Sequence, residues 1–384
     1  MPPTRNLPSR PRRRLALVTA GLVMASTVGI GAAPSTASAT TPAPACAKVD
    51  KVRVVLQWVA QSQFAGYYAA NDQGLYAKHC LEVEIQEGGV NIVPQTVLAS
   101  GNSEFAVTHV VKSMVSREEG ADIVNISQVF QRGGYLQVSW ADSGIKTIQD
   151  LKGKKVGSWG FGNELILYGA MRDAGLEPEK DSTIVQQPFD MSLLLRREID
   201  AAQAKTYNEY AQLLEATNPA TGELYKPEDF TFLDFNELGY ASLEDGVYAR
   251  GDWLADSANQ DIAVRFLAAS YEGWAFCRDN FDACVEIVLN HGTTLGKGHM
   301  TWMLNEINKL IWPSPSGIGT MDQAEWDKSI KVAIDGKVLK APPTEGAFRT
   351  DLAALALALA EKSGVDMKGE NYQPRTVEVT PGGE

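Results

Sequence analysis

The chain has few positive charges. Its 384 residues include 35 Lys and Arg against 47 Asp and Glu. The first 39 residues contain no acid but five arginines, Arg5, Arg10, Arg12, Arg13 and Arg14. Without this segment, 30 bases stand against 47 acids, a net charge near −17. Because proteins bind phosphate backbones through basic surfaces, the deficit argues against a nucleic-acid partner.

Long apolar runs are missing beyond residue 39. The one such run, from Leu15 to about Ala33, follows the arginines and precedes Ala37-Ser38-Ala39. A basic region, an apolar region and a small-residue cleavage site together predict a signal peptide over 1–39. A membrane anchor fits less well, because Gly, Ser and Thr dilute the run. We therefore expect an exported protein, secreted or associated with the cell surface, with the Sec and twin-arginine routes both open.

Cysteine and histidine are both scarce, at four residues each. An even number of cysteines in an exported chain favours disulfides. Pairing near neighbours joins Cys46 to Cys80 and Cys277 to Cys284, although the sequence leaves the other two pairings open. No C-x-x-C spacing occurs, so we expect no metal site. The histidines are scattered at His79, His109, His291 and His299.

Signature motifs of the common enzyme classes are also missing. The sequence contains no G-x-S-x-G elbow, no H-E-x-x-H and no G-x-x-x-x-G-K-[ST] loop. The segment SWGFGNE, 158–164, has a G-x-G after a predicted strand but lacks the third glycine of a dinucleotide fingerprint. A ligand cleft is therefore a better interpretation of this loop than a nucleotide site.

What the sequence does contain is a regular alternation of strand and helix patterns. Strands are predicted at 52–58, 81–85, 104–109, 121–131 and 135–140, with helices at 64–78, 94–99 and 110–119. A second series begins near Ile145 and continues to Tyr207, and helices follow at 261–289, 300–310 and 351–362. This alternation predicts an α/β protein with mainly parallel sheets.

Aromatic and amide side chains gather where predicted strands end. LQWVAQSQFAGYYAA, 56–70, follows the first strand, and TYNEY, 206–210, follows a later one. Loops after parallel strands line the ligand crevice in open α/β sheets. Asp190 in QPFDMSLLL is explained equally well as a helix N-cap, and LEDG, 243–246, is typical of a turn.

Three segments, in this order, resemble one known family: LQWVAQSQFAGYYAANDQGLYAKHCLEVEI, ASGNSEFAV and SGIKTIQDLKGKKVG. They are similar to the SsuA-like, thiamine-pyrimidine-related solute-binding proteins of ABC importers, over roughly residues 51–275. The resemblance implies the two-lobed periplasmic-binding-protein fold of type II, with a mainly parallel sheet flanked by helices in each lobe and a hinge between them. It implies lobe I over 50–135 and 247–374 and lobe II over 136–246, and we expect a disordered tail over 375–384.

The resemblance also implies the partners and the site. We expect a monomer that binds a small heterocyclic ligand, uses no cofactor and works with an ABC permease. Trp58 matches the family's aromatic residue after the first strand, while Gln61, Gln63 and Phe64 stand where pyrimidine binders often have Asn, Asp and His. The candidate ligand-binding residues are Trp58, Gln61, Gln63, Phe64, Tyr67, Thr108, His109, Trp159, Gly160, Asn163, Glu164, Asp190, Tyr207, Asn208 and Glu209.

The ligand expected from this set is a flat nitrogen heterocycle. Rings stack on it, while amides recognise both donors and acceptors. A thiamine pyrimidine precursor is the first choice and riboflavin the second. Sulfonate or nitrate would require Arg, Lys or bare helix N-termini, and few bases lie in these segments.

The same family includes a fungal pyrimidine synthase, which supplies an enzyme hypothesis. That enzyme uses a lysine for pyridoxal phosphate, a histidine that it consumes and a cysteine cluster. Here Thr108 stands at the lysine position and Lys112 at the histidine position, and no cysteine cluster occurs. We therefore expect a binding protein and not an enzyme.

Overall fold

The structure is a computed structural model that describes residues 46–292 and 296–384. The predicted signal peptide lies outside these residues. The described strands are β1 (Asp50–Val55), β2 (Leu81–Gln86), β3 (Phe105–Thr108), β4 (Ile123–Gln128), β5 (Tyr135–Trp140), β6 (Lys155–Ser158), β7 (Thr183–Gln186), β8 (Ala201–Lys205), β9 (Phe230–Asp234) and β10 (Gly246–Arg250).

Helices cover most of the remaining chain. The α-helices are α1 (Ala65–Asp72), α2 (Leu75–Lys78), α3 (Pro94–Ala99), α4 (Val110–Glu118), α5 (Leu165–Asp173), α6 (Pro178–Asp181), α7 (Ser192–Leu195), α8 (Glu209–Glu215), α9 (Ser257–Asp279), α10 (Phe281–Asn290), α11 (Lys297–Ile311), α12 (Gln323–Asp335) and α13 (Asp351–Ala360). Short 3-10 helices occur at Ser62–Phe64, Ala141–Ser143, Ile148–Leu151, Pro227–Asp229, Trp253–Ala255, Glu361–Ser363 and Pro381–Gly383.

The strands form two sheets of five, which define lobe I and lobe II. The lobe I sheet has the order β2-β1-β3-β10-β4 and the lobe II sheet the order β7-β6-β8-β5-β9. In each sheet the fourth strand is antiparallel to both neighbours, and the other four strands run in one direction. The predicted α/β fold with two lobes is confirmed. The chain passes between the sheets twice, at 129–134 and 235–245.

Three apolar cores hold these layers together. The largest packs α1, α9, α10, α11 and α13 on lobe I, with Trp274 completely buried. A smaller core fills lobe II around Leu194 and Val138. The third joins the lobes, because it combines Met114 of α4 with Leu167 of α5. Because this core buries apolar side chains from both lobes, it stabilises the contact between them.

Two glycines bring α1 close to α9. A Cβ on Gly66 would lie 2.2 Å from the Trp274 ring, and one on Gly273 would lie 2.1 Å from the Gly66 carbonyl oxygen. No side chain fits between these backbones, so the crossing requires glycine on both helices. The crossing holds the loop in front of α1, which carries Gln61 and Gln63.

Both predicted disulfides are confirmed. Cys46 pairs with Cys80 across a Cα–Cα distance of 5.6 Å, and Cys277 pairs with Cys284 across 5.0 Å. In the part of the chain that the structure describes, no helix has the length and apolar character needed to cross a membrane. In that same part, no three His, Cys, Asp or Glu side chains converge in a group that could hold a metal ion.

The last ten residues differ from the prediction of a disordered tail. The Arg375 backbone N–H donates to Asn305 Oδ1 at 2.8 Å, and Pro381–Gly383 packs between α8 and α11 with Gly383 buried. Glycines on both partners allow this close approach. A Cβ on Gly298 would lie 2.2 Å from Thr380 Oγ1. The sequence of the tail suggested disorder because its small and polar residues show no hydrophobic pattern, although they pack closely against α8 and α11.

Candidate functional site

One cavity is lined by residues that follow the carboxyl ends of four strands. Strands β1 and β3 of lobe I and strands β6 and β8 of lobe II supply them. We call it the cleft cavity, and its volume is about 30 Å³. Ligands in open α/β sheets bind outside this end of the strands. The lining residues are Gln57, Trp58, Gln61, Gln63, His109, Trp159, Asn163, Lys205, Tyr207, Asn208 and Glu209.

Aromatic rings from the two lobes meet at this cavity. Trp58 of lobe I contacts Trp159 of lobe II edge-to-face, with ring centroids 6.2 Å apart. Trp58 also meets Phe189 of lobe II at 4.9 Å, again edge-to-face. Tyr207 is buried beside them. Edge-to-face pairs are stabilising, so these rings favour the closed position of the lobes.

The two glutamines of the first loop are fixed by a short hydrogen-bonded chain. Gln61 Nε2 donates to Gln63 Oε1 at 2.6 Å, and Gln63 Nε2 donates to Asp245 Oδ2 at 2.8 Å. The other oxygen of Asp245 lies 3.1 Å from His109 Nε2. These two atoms make no well-directed hydrogen bond, so the carboxylate orients the glutamines and lies beside the imidazole.

A buried ion pair forms the floor between the lobes. Lys205 Nζ lies 2.8 Å from Glu244 Oε1 and 3.9 Å from the centre of the Tyr135 ring. Glu244 Oε1 also accepts from the Gly134 backbone N–H at 2.8 Å. A second buried lysine, Lys112 of lobe I, donates to Asn163 Oδ1 at 3.3 Å. Burying a charge is costly unless it is paired, as Lys205 is with Glu244.

Burial shifts the titration of the groups in and around the cavity. It raises the pKa of Glu209 to about 7 and that of Asp245 to about 6. It lowers the pKa of Lys112 to about 8, with Lys205 adding to the effect. Burial, followed by the Lys205 charge, holds the pKa of His109 well below its usual range. At neutral pH the imidazole is therefore neutral, and Glu209 titrates near that pH.

Several lining residues carry buried polar atoms without a hydrogen-bond partner among the described residues. They include the donors Trp159 Nε1 and Lys205 Nζ and the acceptor Gln57 Oε1. The Lys205 ammonium is close to Glu244 but makes no well-directed hydrogen bond. Unsatisfied buried groups are rare in native proteins, and where they gather they mark a place for a polar partner.

A larger groove opens next to the cleft cavity. It measures about 840 Å³ and shares Trp58, Gln61 and Asn208 with the cavity. Its outer wall carries Phe189 and Asp190 of lobe II. We call it the outer groove. It gives the cavity its route to the surface.

Nine of the fifteen candidate ligand residues line the cleft cavity. They come from three predicted strand ends and from the loop in front of α1. They are Trp58, Gln61, Gln63, His109, Trp159, Asn163, Tyr207, Asn208 and Glu209.

Six candidates lie elsewhere. Phe64 and Tyr67 are buried in the lobe I core, because the helical repeat turns them towards α9 and α11. Thr108 is buried in β3, where it pairs with Gly246. Gly160 and Glu164 line a separate surface pocket. Asp190 lies in the outer groove, and its Oδ1 accepts from the Ser192 backbone N–H at 3.0 Å, as expected of a residue preceding a helix.

Four residues of the site were not among the candidates. Gln57 and Lys205 line the cavity, and Glu244 and Asp245 support it from behind. Few bases were expected in the site segments, yet Lys112 and Lys205 are both buried there. A lysine as the last residue of a buried strand was the available signal for Lys205.

The sequence matches a known protein family. The sequence model described as NMT1/THI5 like matches residues 61–283, more than half of the chain. The chain belongs to this family. The predicted resemblance to thiamine-pyrimidine-related proteins is confirmed.

Three relatives of the chain carry names that describe different functions. A Haemophilus influenzae protein whose name proposes a role in thiamine biosynthesis is 28% identical over 51% of this chain and 62% of its own. The riboflavin-binding protein RibY of Chloroflexus aurantiacus is 25% identical over 50% and 56%. A Uromyces fabae protein named 4-amino-5-hydroxymethyl-2-methylpyrimidine phosphate synthase is 24% identical over 56% and 63%. The chain thus spans little more than half the length of these relatives.

The fold has close counterparts among solved structures. The alkanesulfonate-binding protein SsuA from Xanthomonas axonopodis pv. citri, bound to MOPS, matches with a TM-score of 0.57. The match covers 79% of this chain and 99% of that protein at 12% identity. At this identity the likeness shows the fold alone, and it agrees with the predicted periplasmic-binding-protein architecture.

Proposed function

We propose that this protein is the exported solute-binding component of an ABC importer and that it holds a small nitrogen heterocycle between its lobes. The observation that carries the proposal is the cleft cavity, which combines aromatic rings with buried donors and acceptors that lack partners. Trp159 Nε1 and Lys205 Nζ offer hydrogens, while Gln57 Oε1 accepts one. A ring with nitrogen acceptors and an amino donor satisfies both kinds of group.

A thiamine pyrimidine precursor suits this site better than riboflavin. The cavity has only about 30 Å³, the volume of about one water molecule, so a ligand enters with the lobes further apart, and one ring requires a smaller separation than three fused rings. Gln57, Asn163 and Glu209 would bind the polar atoms of such a ring, with Trp58 and Trp159 beside it. Riboflavin is too large for the cavity alone. It would have to extend into the outer groove, which adjoins the cavity and has about 840 Å³.

An anionic ligand is less well supported, despite the two lysines. The charge of Lys205 is already balanced by Glu244, and Lys112 donates to the Asn163 amide oxygen. Glu209 and Asp245 add negative charge beside them. A sulfonate or nitrate would need free cations or bare backbone N–H groups in their place.

A binding role is also better supported than a synthase role. Thr108, at the lysine position of the fungal synthase, is buried in β3 and paired within the sheet. The four cysteines form two disulfides and no cluster. The site residues therefore do not reproduce the nucleophile and cysteine set that the enzyme hypothesis requires.

The remaining parts of the proposal concern organisation. We propose lobe boundaries at 135/136 and 246/247, with hinges in the two segments that connect the sheets. We further propose that the protein acts outside the cytoplasm, as a monomer, and passes its ligand to a membrane permease. The two sheets and their two connecting segments support the boundaries and hinges, and the family membership supports the permease partner.

Calorimetry with four compounds tests the ligand class. Protein would be titrated with 4-amino-5-hydroxymethyl-2-methylpyrimidine, its formylamino analogue, thiamine and riboflavin. The pyrimidines should bind and raise the melting temperature, since ligand at 100 times Kd adds about 2.7 kcal/mol to stability. Absence of heat and of stabilisation with all four compounds would refute the heterocycle proposal.

A pair of tryptophan variants tests the location. Trp58→Ala removes a ring of the cavity and should weaken pyrimidine binding by about 10- to 100-fold. Trp253→Ala is the control, because Trp253 packs on Phe105 within lobe I and does not line the cavity. Equal affinities of the two variants would show that the ligand binds elsewhere.

A further inference from the structure

A row of four buried polar side chains leads away from the cleft cavity. Asn208 Nδ2 donates to Glu209 Oε1 at 2.8 Å. Asn208 Oδ1 lies 2.9 Å from His299 Nε2, and His299 Nδ1 lies 2.8 and 2.9 Å from the two oxygens of Glu215. All four residues are at least nine-tenths buried. Two of them, Asn208 and Glu209, line the cavity itself.

The hydrogen-bond partners in this row determine how the Asn208 amide and the His299 ring are oriented. The Asn208 amide nitrogen faces the Glu209 carboxylate, so its oxygen must face His299 and Gln212, whose Nε2 donates to it at 3.3 Å. Both ring nitrogens of His299 then face acceptors, namely Asn208 Oδ1 and the Glu215 carboxylate. His299 therefore bridges the Asn208 amide of lobe II and the buried Glu215 carboxylate through its two ring nitrogens.

The row joins the two lobes. Glu215 ends α8 of lobe II, and Asn208 directly precedes that helix. His299 belongs to α11, which is attached to the lobe I loop because Ser62 Oγ donates to the Met300 carbonyl oxygen at 2.8 Å. Opening the lobes would separate His299 from both of its partners. It would leave the His299 ring nitrogens and the Glu215 carboxylate without their hydrogen-bond partners, which is costly unless water enters.

The tail covers the row from outside. Gly383 lies against it, and a Cβ there would be 2.8 Å from the His299 Cβ and 2.9 Å from Glu215 Oε2. The tail is seated on α11 by Gly298, where a Cβ would be 2.2 Å from Thr380 Oγ1. Excluding water strengthens a hydrogen bond, so the tail increases the strength of the contact beneath it.

We propose that His299 is a positioning residue with two roles. Through Glu215 it holds the lobes in the closed state, a contact that we call the latch, and through Asn208 it holds Glu209 in the orientation that receives the ligand. Residues 380–384 cover the latch. The inference rests on the proposed function for its ligand, but the latch itself is independent of which solute binds. Ligand contact with Glu209 and lobe closure through Glu215 are thereby linked in one hydrogen-bonded row.

The first test compares His299→Ala with His79→Ala. His79 also pairs with a carboxylate, Glu272 at 2.8 Å, but both residues belong to lobe I. Small-angle X-ray scattering of the ligand-free proteins should give a larger radius of gyration for His299→Ala only. In His299→Ala, 4-amino-5-hydroxymethyl-2-methylpyrimidine should dissociate at least about fivefold faster than from the wild type, which is within the usual range of coupling between sites. Its association rate should change little. A merely misfolded fraction would lower the number of binding sites instead.

Equal radii for wild type and His299→Ala would overturn the proposal. If wild-type protein bound none of the four compounds, the proposed function would fail, while the radii of the ligand-free proteins would still test the latch. Should His299→Ala not fold, Glu215→Gln replaces the carboxylate with a side chain of the same size and is predicted to increase the radius in the same way.

The second test addresses the tail and leaves the latch residues in place. Gly298→Ala should displace residues 380–384 and produce a smaller increase in radius and dissociation rate than His299→Ala. Gly169→Ala is the matched control, since it also replaces a helical glycine but its Cβ would meet neighbours only at 3.7 Å. If Gly298→Ala behaved like Gly169→Ala in both measurements, the tail would not be the cover of the latch.

Discussion

Lys205 and Glu244 form an ion pair in the floor of the cleft, with Nζ and Oε1 2.8 Å apart and side chains 7% and 2% exposed. Lys205 ends β8 of lobe II, whereas Glu244 lies in the segment that returns the chain to lobe I. The pair therefore connects the lobes at the connecting segments, while the Trp58–Phe189 contact connects them at the mouth. Both charges are desolvated, so each depends on the other for stability.

Removing one member of this pair should destabilise the fold strongly. Lys205→Met keeps the aliphatic length but leaves Glu244 unpaired, and we expect a loss of about 3–5 kcal/mol in the free energy of unfolding. The double variant Lys205→Met, Glu244→Gln should recover most of that loss, because no isolated charge remains. Urea denaturation measures both.

The exposed pair Lys51–Glu82 supplies the control for that experiment. Its side chains are 76% and 62% exposed, so Lys51→Met should change stability far less. If Lys205→Met cost no more than Lys51→Met, the buried pair would not have the role given to it here.

Stability should depend on pH through Glu209. Burial raises its pKa to about 7 in the folded protein, above the usual value of 4.5, so the folded state holds the proton more tightly than the unfolded state. The contribution is therefore favourable at low pH and is lost as pH rises from about 4.5 to 7, by about 3 kcal/mol in all. Above pH 7 it should be constant.

Glu209→Gln isolates this contribution. Urea denaturation of the wild type and the variant would be compared at several values between pH 5 and 8. The stability of the wild type relative to Glu209→Gln should fall with rising pH, and lost hydrogen bonds in the variant add only a constant offset. A difference that stayed flat or rose with pH would contradict the assigned direction.

The fold and most of the cavity lining could be predicted from local patterns. Trp58, Trp159 and Tyr207 each follow a predicted strand, and parallel strands deliver such residues to one edge of a sheet. The cysteine pairs followed from export and spacing. These features depend on residues close together in the chain or on one regular repeat.

The rest of the site depends on how distant segments pack. Glu244 and Asp245 lie in LEDG, which has turn composition, yet both are 1% exposed because the two connections between the lobes bury it. His299 meets Asn208 across 91 residues of sequence. Tyr67 shows the reverse case: it belongs to an aromatic-rich segment, but helix geometry turns it into the core.

The two disulfides should contribute unequally to stability. Cys46–Cys80 closes a loop of 34 residues and Cys277–Cys284 one of 7. Loop-closure entropy predicts losses of about 4 and about 2 kcal/mol when each pair is replaced by serines. Urea denaturation of the two double-serine variants would measure this, and peptide mass analysis without reduction would verify the pairing. Equal losses would show that strain or residual structure outweighs loop length.

The aromatic contact at the mouth should strengthen ligand retention. Phe189 of lobe II is 45% exposed, and its main aromatic contact is Trp58 of lobe I, at 4.9 Å. An edge-to-face pair is worth about 0.5–1.5 kcal/mol, so Phe189→Ala should weaken pyrimidine binding about two- to tenfold by destabilising the closed state. Phe232→Ala is the matched control: Phe232 is 43% exposed, but it contacts Tyr210 within lobe II at 5.7 Å. Because only Phe189 reaches across the cleft, an equal effect of both variants on affinity would mean that this contact does not stabilise closure.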